Sequence, residues 1–171
     1  MPFDFTFKSV QTTDQIRQTR DFLLKQDLKY PRYDEWVAKV ESELLSGYKR
    51  AALAYSNGVL VGDIVWQYHK QLPRVKELKN LRVHPKASGR YIAQFLIRQA
   101  EIEDKRKIEA IIGDARENQF GLIALMQSMG YSIISKLPLY EESQKDVILL
   151  KASDKKLQQG IITKANDFLR L

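Results

Sequence analysis

The stretch Glu77-Leu78-Lys79-Asn80-Leu81-Arg82-Val83-His84-Pro85-Lys86-Ala87-Ser88-Gly89-Arg90-Tyr91-Ile92-Ala93 has the densest chemical content of the chain. It reads as a strand, a small-residue turn and the start of a helix. The first backbone N–H groups of a helix have no partner within it and sit at the positive end of the macrodipole. Such a start is a ready anion site. Ser88 and Gly89 keep the turn unobstructed, and Lys86 and Arg90 add positive charge. The chemistry suggested is the grip of a phosphate. The pattern is neither Gly-x-Gly-x-x-Gly nor a nucleotide loop ending in Lys-Ser/Thr.

Charge supports an anionic partner at this place. The 171 residues include 28 Lys+Arg against 21 Asp+Glu, a net charge of +7. Residues 69–107 hold 11 basic and 4 acidic residues, so the whole excess lies in that stretch. Such a concentration favours a phosphorylated cofactor, an acidic substrate or a nucleic acid, or else forms a solvated basic face. Nucleic acid is the weakest of these, because no aromatic residues interleave with the basic ones on a strand face. Cysteine is absent. Thiolate zinc sites, iron–sulfur clusters, disulfides and a cysteine nucleophile are therefore excluded. His69 and His84 are isolated, without the spacing of a metal site. No apolar run reaches the roughly 20 residues that span a bilayer. No secretory signal is legible at the start, so the expected location is the cytoplasm.

The elements that must position this stretch follow from periodicity. Phe3, Phe5 and Phe7 alternate with polar residues, as in a half-buried strand. Thr12-Thr13-Asp14 can cap a helix running to about residue 28, and Asp34 can cap a second that ends near Gly47. Strands over 51–55 and 59–68 flank Asn57-Gly58, a strong hairpin signal, and Gly62 marks a bulge. A strand over 75–83 leads to a helix over 90–107. A short apolar strand comes next over 110–113, then a helix over 118–129 ended by Gly130. Strands over 131–135 and 147–151 close the order around a loop at 137–146. The tail, 154–171, reads as an amphipathic helix that packs on its own domain or on a second copy, which leaves a homodimer open. The expectation is one domain, 1–171, with its core in 3–151 and an α/β layered architecture.

This order, with the motifs within it, resembles the GNAT-type N-acetyltransferases. Leu81-x-Val83 before Pro85 is similar to the end of that family's fourth strand. Ser88-Gly89-Arg90-Tyr91-Ile92-Ala93 occupies the place of its pyrophosphate loop. Asn118 and Gly130-Tyr131 match the opening and close of its next helix, and 146–151 its last strand. The resemblance implies a mixed central sheet of six to seven strands with helices on both faces. It implies acetyl-CoA as acyl donor and a small-molecule or protein amine as acceptor. Backbone groups of Leu81, Arg82 and Val83 would pair with the pantetheine arm. Those of Ser88, Gly89, Arg90, Tyr91, Ile92 and Ala93 would hold the pyrophosphate, and Asn118 would contact the cofactor arm. Glu77 would take the proton from the amine, which as an ammonium is no nucleophile. A carboxylate needs burial or a water relay for that task at neutral pH.

The chain departs from the family pattern at three positions. Ser88 replaces Arg/Gln. Tyr91 replaces a glycine, so its ring is expected to crowd the phosphate's approach. Met126 replaces the tyrosine that protonates the leaving thiolate, so that the thiolate leaves unaided, Tyr131, Tyr140 or Ser128 substitutes, or the acid is absent. A catalytically degenerate GNAT-like domain that binds CoA or a polyanion as a sensor or scaffold is therefore a second reading. Glu77 is, on the other hand, equally well placed as a surface partner of Lys76 or Lys79, and Asn118 as a helix cap.

Overall fold

The computed structural model of the chain describes residues 4–26, 30–103 and 107–153. The elements run β1 (Phe5–Ser9), α1 (Thr13–Lys25), α2 (Tyr33–Leu45), β2 (Lys49–Ser56), β3 (Val59–Tyr68), β4 (Val75–Val83), α3 (Ile92–Ile102), β5 (Ala110–Arg116), α4 (Phe120–Ser128), β6 (Ser132–Glu141) and β7 (Gln144–Ala152). They form an α/β fold with one mixed seven-stranded sheet in the order β1-β2-β3-β4-β5-β7-β6. Only β4 and β5 pair in parallel among the registers given for the described strands. By contact density the chain forms two compact units, Met1–Gln67 with Lys79–Glu103, and Tyr68–Leu78 with Asp104–Leu171. The predicted tail helix, 154–171, lies outside the described residues.

In the first unit the local chemistry dictates the elements. Thr12 Oγ1 accepts from Gln15 N–H at 3.2 Å, and Gln15 Oε1 accepts from Thr12 N–H at 3.1 Å, closing a capping box on α1. The predicted cap at Asp34 is displaced. Arg32 is the N-cap, in a left-handed conformation, and Asp34 falls in the first turn, where its charge suits the macrodipole. Asn57 and Gly58 have φ of 50° and 78°, as the hairpin signal requires. Ile16 and Leu23 of α1 pack with Tyr33, Val37, Val40 and Leu44 of α2 against Ala51 and Val65 of the sheet. Trp36 is partly buried against this cluster and stacks on Tyr33 at 5.7 Å between centroids.

The opposite face of the same sheet receives α3, since Gly62 and Val65 alternate in direction along β3. A Cβ on Gly62 would stand 3.2 Å from Leu96 and 3.3 Å from Ile92, both of α3, and 3.0 Å from the Arg82 carbonyl. That close approach is why a glycine interrupts an apolar strand here. The predicted bulge also lies here, because Ala54 pairs with Gly62 but Tyr55 with Leu60, leaving Val61 over.

The second unit corrects several boundaries. β5 extends to Arg116 rather than 113, and α4 begins at Phe120 rather than 118. The expected loop at 137–146 is instead a hairpin, because β6 reaches Glu141 and β7 starts at Gln144. Pro138 and the charged residues of 141–146 are tolerated in this hairpin because β6 lies at the edge of the sheet. Asp146 is buried and accepts from Leu139 N–H at 3.1 Å, which ties the hairpin together. Leu72, Val75, Ala110, Ile112, Ile148 and Leu150 form the core of this unit.

Candidate active site

The site is built on the end of β4. His69 N–H donates to Val75 O, and His84 N–H donates to Val61 O. Between these two bonds β3 advances eight residues and β4 advances nine, so β4 contains one extra residue. Such a bulge bends the strand and re-aims the residues beyond it. By alternation from His84, the peptide groups of Leu81 and Val83 face away from β3. On that side the guanidinium of Arg82 donates through Nη1 to Leu81 O at 3.0 Å. Leu81, Arg82 and Val83 are all half-buried.

The strand then enters a tight turn. Ala87 N–H donates to His84 O at 2.8 Å and Ser88 N–H to Pro85 O at 3.1 Å. His84 Nδ1 accepts from Lys86 N–H at 3.2 Å, so this histidine caps the turn. Gly89 comes next with φ 74°, and Tyr91 is the N-cap of α3 with φ 62°. The helix therefore begins at Ile92, two residues later than expected, and ends at Ile102 rather than 107. No side chain caps its first turn. Ser88, Gly89, Arg90 and Tyr91 are exposed, Ala93 is half-buried, and Ile92 anchors the helix in the core. A Cβ on Gly89 would meet no atom within 4 Å, so the space at that position is open.

Tyr91 has a backbone conformation that the sequence did not foretell. It adopts the left-handed backbone in which glycine is at ease, at a strain of order 1–2 kcal/mol for an ordinary residue. Its side chain is 73% exposed. The peptide path is that of a glycine, while the ring lies largely in solvent. Helix N-terminal amides, open space at the Cβ position of Gly89 and the basic residues Lys86 and Arg90 occur together in 86–93, a chemistry suited to an anion.

One residue that sequence reasoning missed lies beside Asn80 of β4. Asp63, on β3, has 0% exposed surface. Its Oδ2 accepts from Asn80 Nδ2 at 2.7 Å, while Oδ1 has no partner. Burial pushes the Asp63 carboxyl up to about 7, against the opposing pull of the Arg82 charge and the Asn80 bond. Val65 shares its face of the strand, and Leu53 stands opposite on β2. The legible signal was a lone acid inside the apolar run Val59–Trp66.

The second unit holds the remaining predicted residues. Glu77 is half-buried on β4 and pairs in register with Ile112 of β5. That parallel ladder covers Val75–Leu78 against Ala110–Gly113 and stops there. Asn118 is exposed in the turn before α4 and caps nothing, because Gln119 is the N-cap. Met126 is buried, its methyl 3.5 Å from where a Cβ on Gly113 would lie. Of the substitute acids, Ser128 donates to Leu125 O at 2.7 Å, and buried Tyr131 lies under the Lys151 ammonium. The Tyr140 hydroxyl bonds Asp114 Oδ2 at 3.0 Å.

The two histidines do local structural work. His69 Nδ1 accepts from the N–H groups of Gln71 and Leu72 at 3.2 and 3.1 Å, much as His84 caps its own turn. Among the described residues no group of three or more acids and histidines could hold a metal ion. Among those residues no helix is long and apolar enough to cross a membrane. The basic stretch is not a uniform solvated face: Lys76 is fully buried, Arg74 pairs with Glu109 at 2.5 Å, and Arg98 pairs with Glu101 at 2.7 Å.

No family model matches the sequence. No curated protein matches it either. Solved structures do match the fold. A GNAT-family acetyltransferase from Streptococcus pneumoniae superposes with a TM-score of 0.69 at 12% identity, over 87% of this chain and 99% of that one. The ribosomal-protein-S18-alanine N-acetyltransferase of Escherichia coli gives 0.67 at 17% identity, over 87% and 94%. The Salmonella typhimurium protein yncA, solved with its cofactor acetyl-CoA, gives 0.69 at 14%, over 89% and 95%. The chain has the GNAT-type N-acetyltransferase fold.

Proposed function

We propose that the protein is an N-acetyltransferase that moves an acetyl group from acetyl-CoA to a primary amine by direct attack in a ternary complex. The observation that favours this most is the turn at Gly89–Tyr91. Two left-handed positions, one of them held by a tyrosine at the expense of strain, leave the first amides of α3 bare beneath open space. Backbone strain of that kind is retained where a site needs it.

In this reading Ser88, Gly89, Arg90, Tyr91, Ile92 and Ala93 hold the diphosphate, and Leu81, Arg82 and Val83 align the pantetheine arm. Asn118 contacts the arm from its exposed turn. Holding donor and acceptor together removes the entropy of a bimolecular encounter. Glu77 takes a proton from the amine, whose nitrogen then attacks the thioester carbonyl carbon. The C–N bond forms and the C–S bond breaks, and the sulfur leaves with its electron pair. Amide donors facing the thioester oxygen stabilise the charge that develops there. The acceptor is a small molecule or a protein amine, and the chain works as one domain in the cytoplasm.

Isothermal calorimetry with acetyl-CoA tests the reading. Binding with the stoichiometry of one per chain is expected, and no heat at millimolar cofactor overturns it. A second reading is a degenerate acyl-CoA-binding sensor. It is favoured by Met126, which is buried and has no proton to donate. Turnover with a panel of small amines, lost in Glu77→Gln, would rule that second reading out.

A further inference from the structure

β1 lies at one end of the sheet, and among the described strands it pairs with β2 alone. Asn57 N–H donates to Asp4 O and Val10 N–H to Ala51 O, both at 2.9 Å. Alternation between these two bonds turns the peptide groups of Thr6 and Lys8 toward β2 and those of Phe5, Phe7 and Ser9 away from it. A strand with peptide groups turned outward is a template for another strand.

Apolar surface adjoins this edge. The rings of Phe7 and of Phe95 on α3 have centroids 5.4 Å apart, and Ser9 Oγ donates to Glu103, the C-cap of α3. The helix therefore runs beside β1. Phe95 is 57% exposed and Ile102 is 73% exposed, and two turns apart they share one side of the helix. Large apolar side chains grouped at a surface mark an interaction site, where single scattered ones do not.

We propose that this edge is the contact between two copies of the chain, with β1 paired antiparallel to β1 of the second copy about a two-fold axis at Thr6. The inference stands apart from the acetyl-transfer reading. In that register β1 is complementary to itself. Asp4 of each copy lies opposite Lys8 of the other, Phe5 lies opposite Phe7, and Thr6 lies opposite Thr6. Asp4, Thr6 and Lys8 are exposed along one face of the strand. Their pairs are the non-hydrogen-bonded ones, in which side chains approach closest, so two contacts of opposite charge form across the axis. The Lys8 ammonium lies 5.6 Å from the Tyr55 ring centroid, a contact compatible with a facing carboxylate. Phe5 and Phe7 exchange the peptide hydrogen bonds, and on their face the Phe7–Phe95 patches of both copies meet. An axis at Phe7 would instead set Asp4 against Val10 and Lys8 against Thr6, with no charge matched. A contact made by the same patch on both partners closes after two copies.

Sedimentation equilibrium of the full chain tests the contact. The wild type is expected to be a dimer at micromolar concentration. Lys8→Asp sets like charges against each other twice per dimer and should weaken association by about tenfold or more. Phe95→Asp should weaken it as well. Asp4→Lys combined with Lys8→Asp restores both charge pairs with their signs exchanged, and should return association to within about threefold of the wild type. That recovery separates a lost contact from a misfolded variant, and circular dichroism of each variant checks the fold. A monomeric wild type overturns the proposal and leaves the edge to a strand of some other protein. A dimer indifferent to Lys8→Asp, or one that the double variant fails to restore, overturns it too.

Discussion

Asn80 Nδ2 donates to Asp63 Oδ2 at 2.7 Å, and this bond joins β3 to β4 inside the stretch where β4 has one residue more than its neighbour. It satisfies one carboxyl oxygen and leaves the other bare. A carboxyl so placed resists ionisation, and that resistance has consequences for stability.

Stability should fall with rising pH across the interval set by Asp63. Its native value lies at about 7 and its unfolded value near 4. Between those limits the native state keeps the proton that the unfolded state gives up, so each step up in pH favours unfolding, and the loss is complete above the native value. Asp63→Asn removes this slope. Thermal melts at pH 5 and pH 8 should show the variant gaining on the wild type at the higher pH. Equal differences at both values would contradict a buried neutral carboxyl.

Glu77→Gln should lower kcat by about 10²-fold while leaving acetyl-CoA affinity within a factor of about three, because the side chain is proposed to handle the amine proton and not the donor. Steady-state kinetics and calorimetry on the same preparations check it. Loss of donor binding would mean that the residue has a different task.

At Tyr91 the backbone conformation is that of a glycine. Tyr91→Gly should therefore be tolerated, with a change in stability within about 1 kcal/mol, since relief of strain offsets the entropy gained by the unfolded chain. Tyr91→Val should lose about 1–2 kcal/mol, because a β-branched residue suffers most at positive φ. Chemical denaturation of both variants decides.

Gly62→Ala places a methyl group 3.0 Å from the Arg82 carbonyl and against Leu96 and Ile92. Overpacking of this kind costs about 1–3 kcal/mol. The same substitution also pushes on the β4 segment that orders Leu81 and Arg82, so acetyl-CoA affinity should fall along with Tm.

Much of this arrangement was readable in the residues. The capping box at Thr12, the Asn57-Gly58 turn and the order of the elements all follow from local rules. The start of α3 was legible to within two residues, since a small-residue turn after an apolar strand leaves few alternatives. Asp63 shows in the sequence only as a lone acid in an apolar run, because its burial comes from Leu53 across the sheet and its bond from Asn80 seventeen residues on. Its burial is a property of the strand pairing, not of its neighbours in sequence. The hairpin of β6 and β7 was hidden for another reason. Pro138 and the charges of 141–146 are signs of a loop wherever a strand has neighbours on both sides, and among the described strands β6 pairs with β7 alone.

That marginal strand has a further effect. A proline offers no N–H to an incoming chain, and β6 also shifts register twice along its length. A foreign strand sliding up to this border finds a broken row of donors and a kinked template. The outer rim at Pro138 is thus a poor template for the open-ended growth of a sheet from copy to copy.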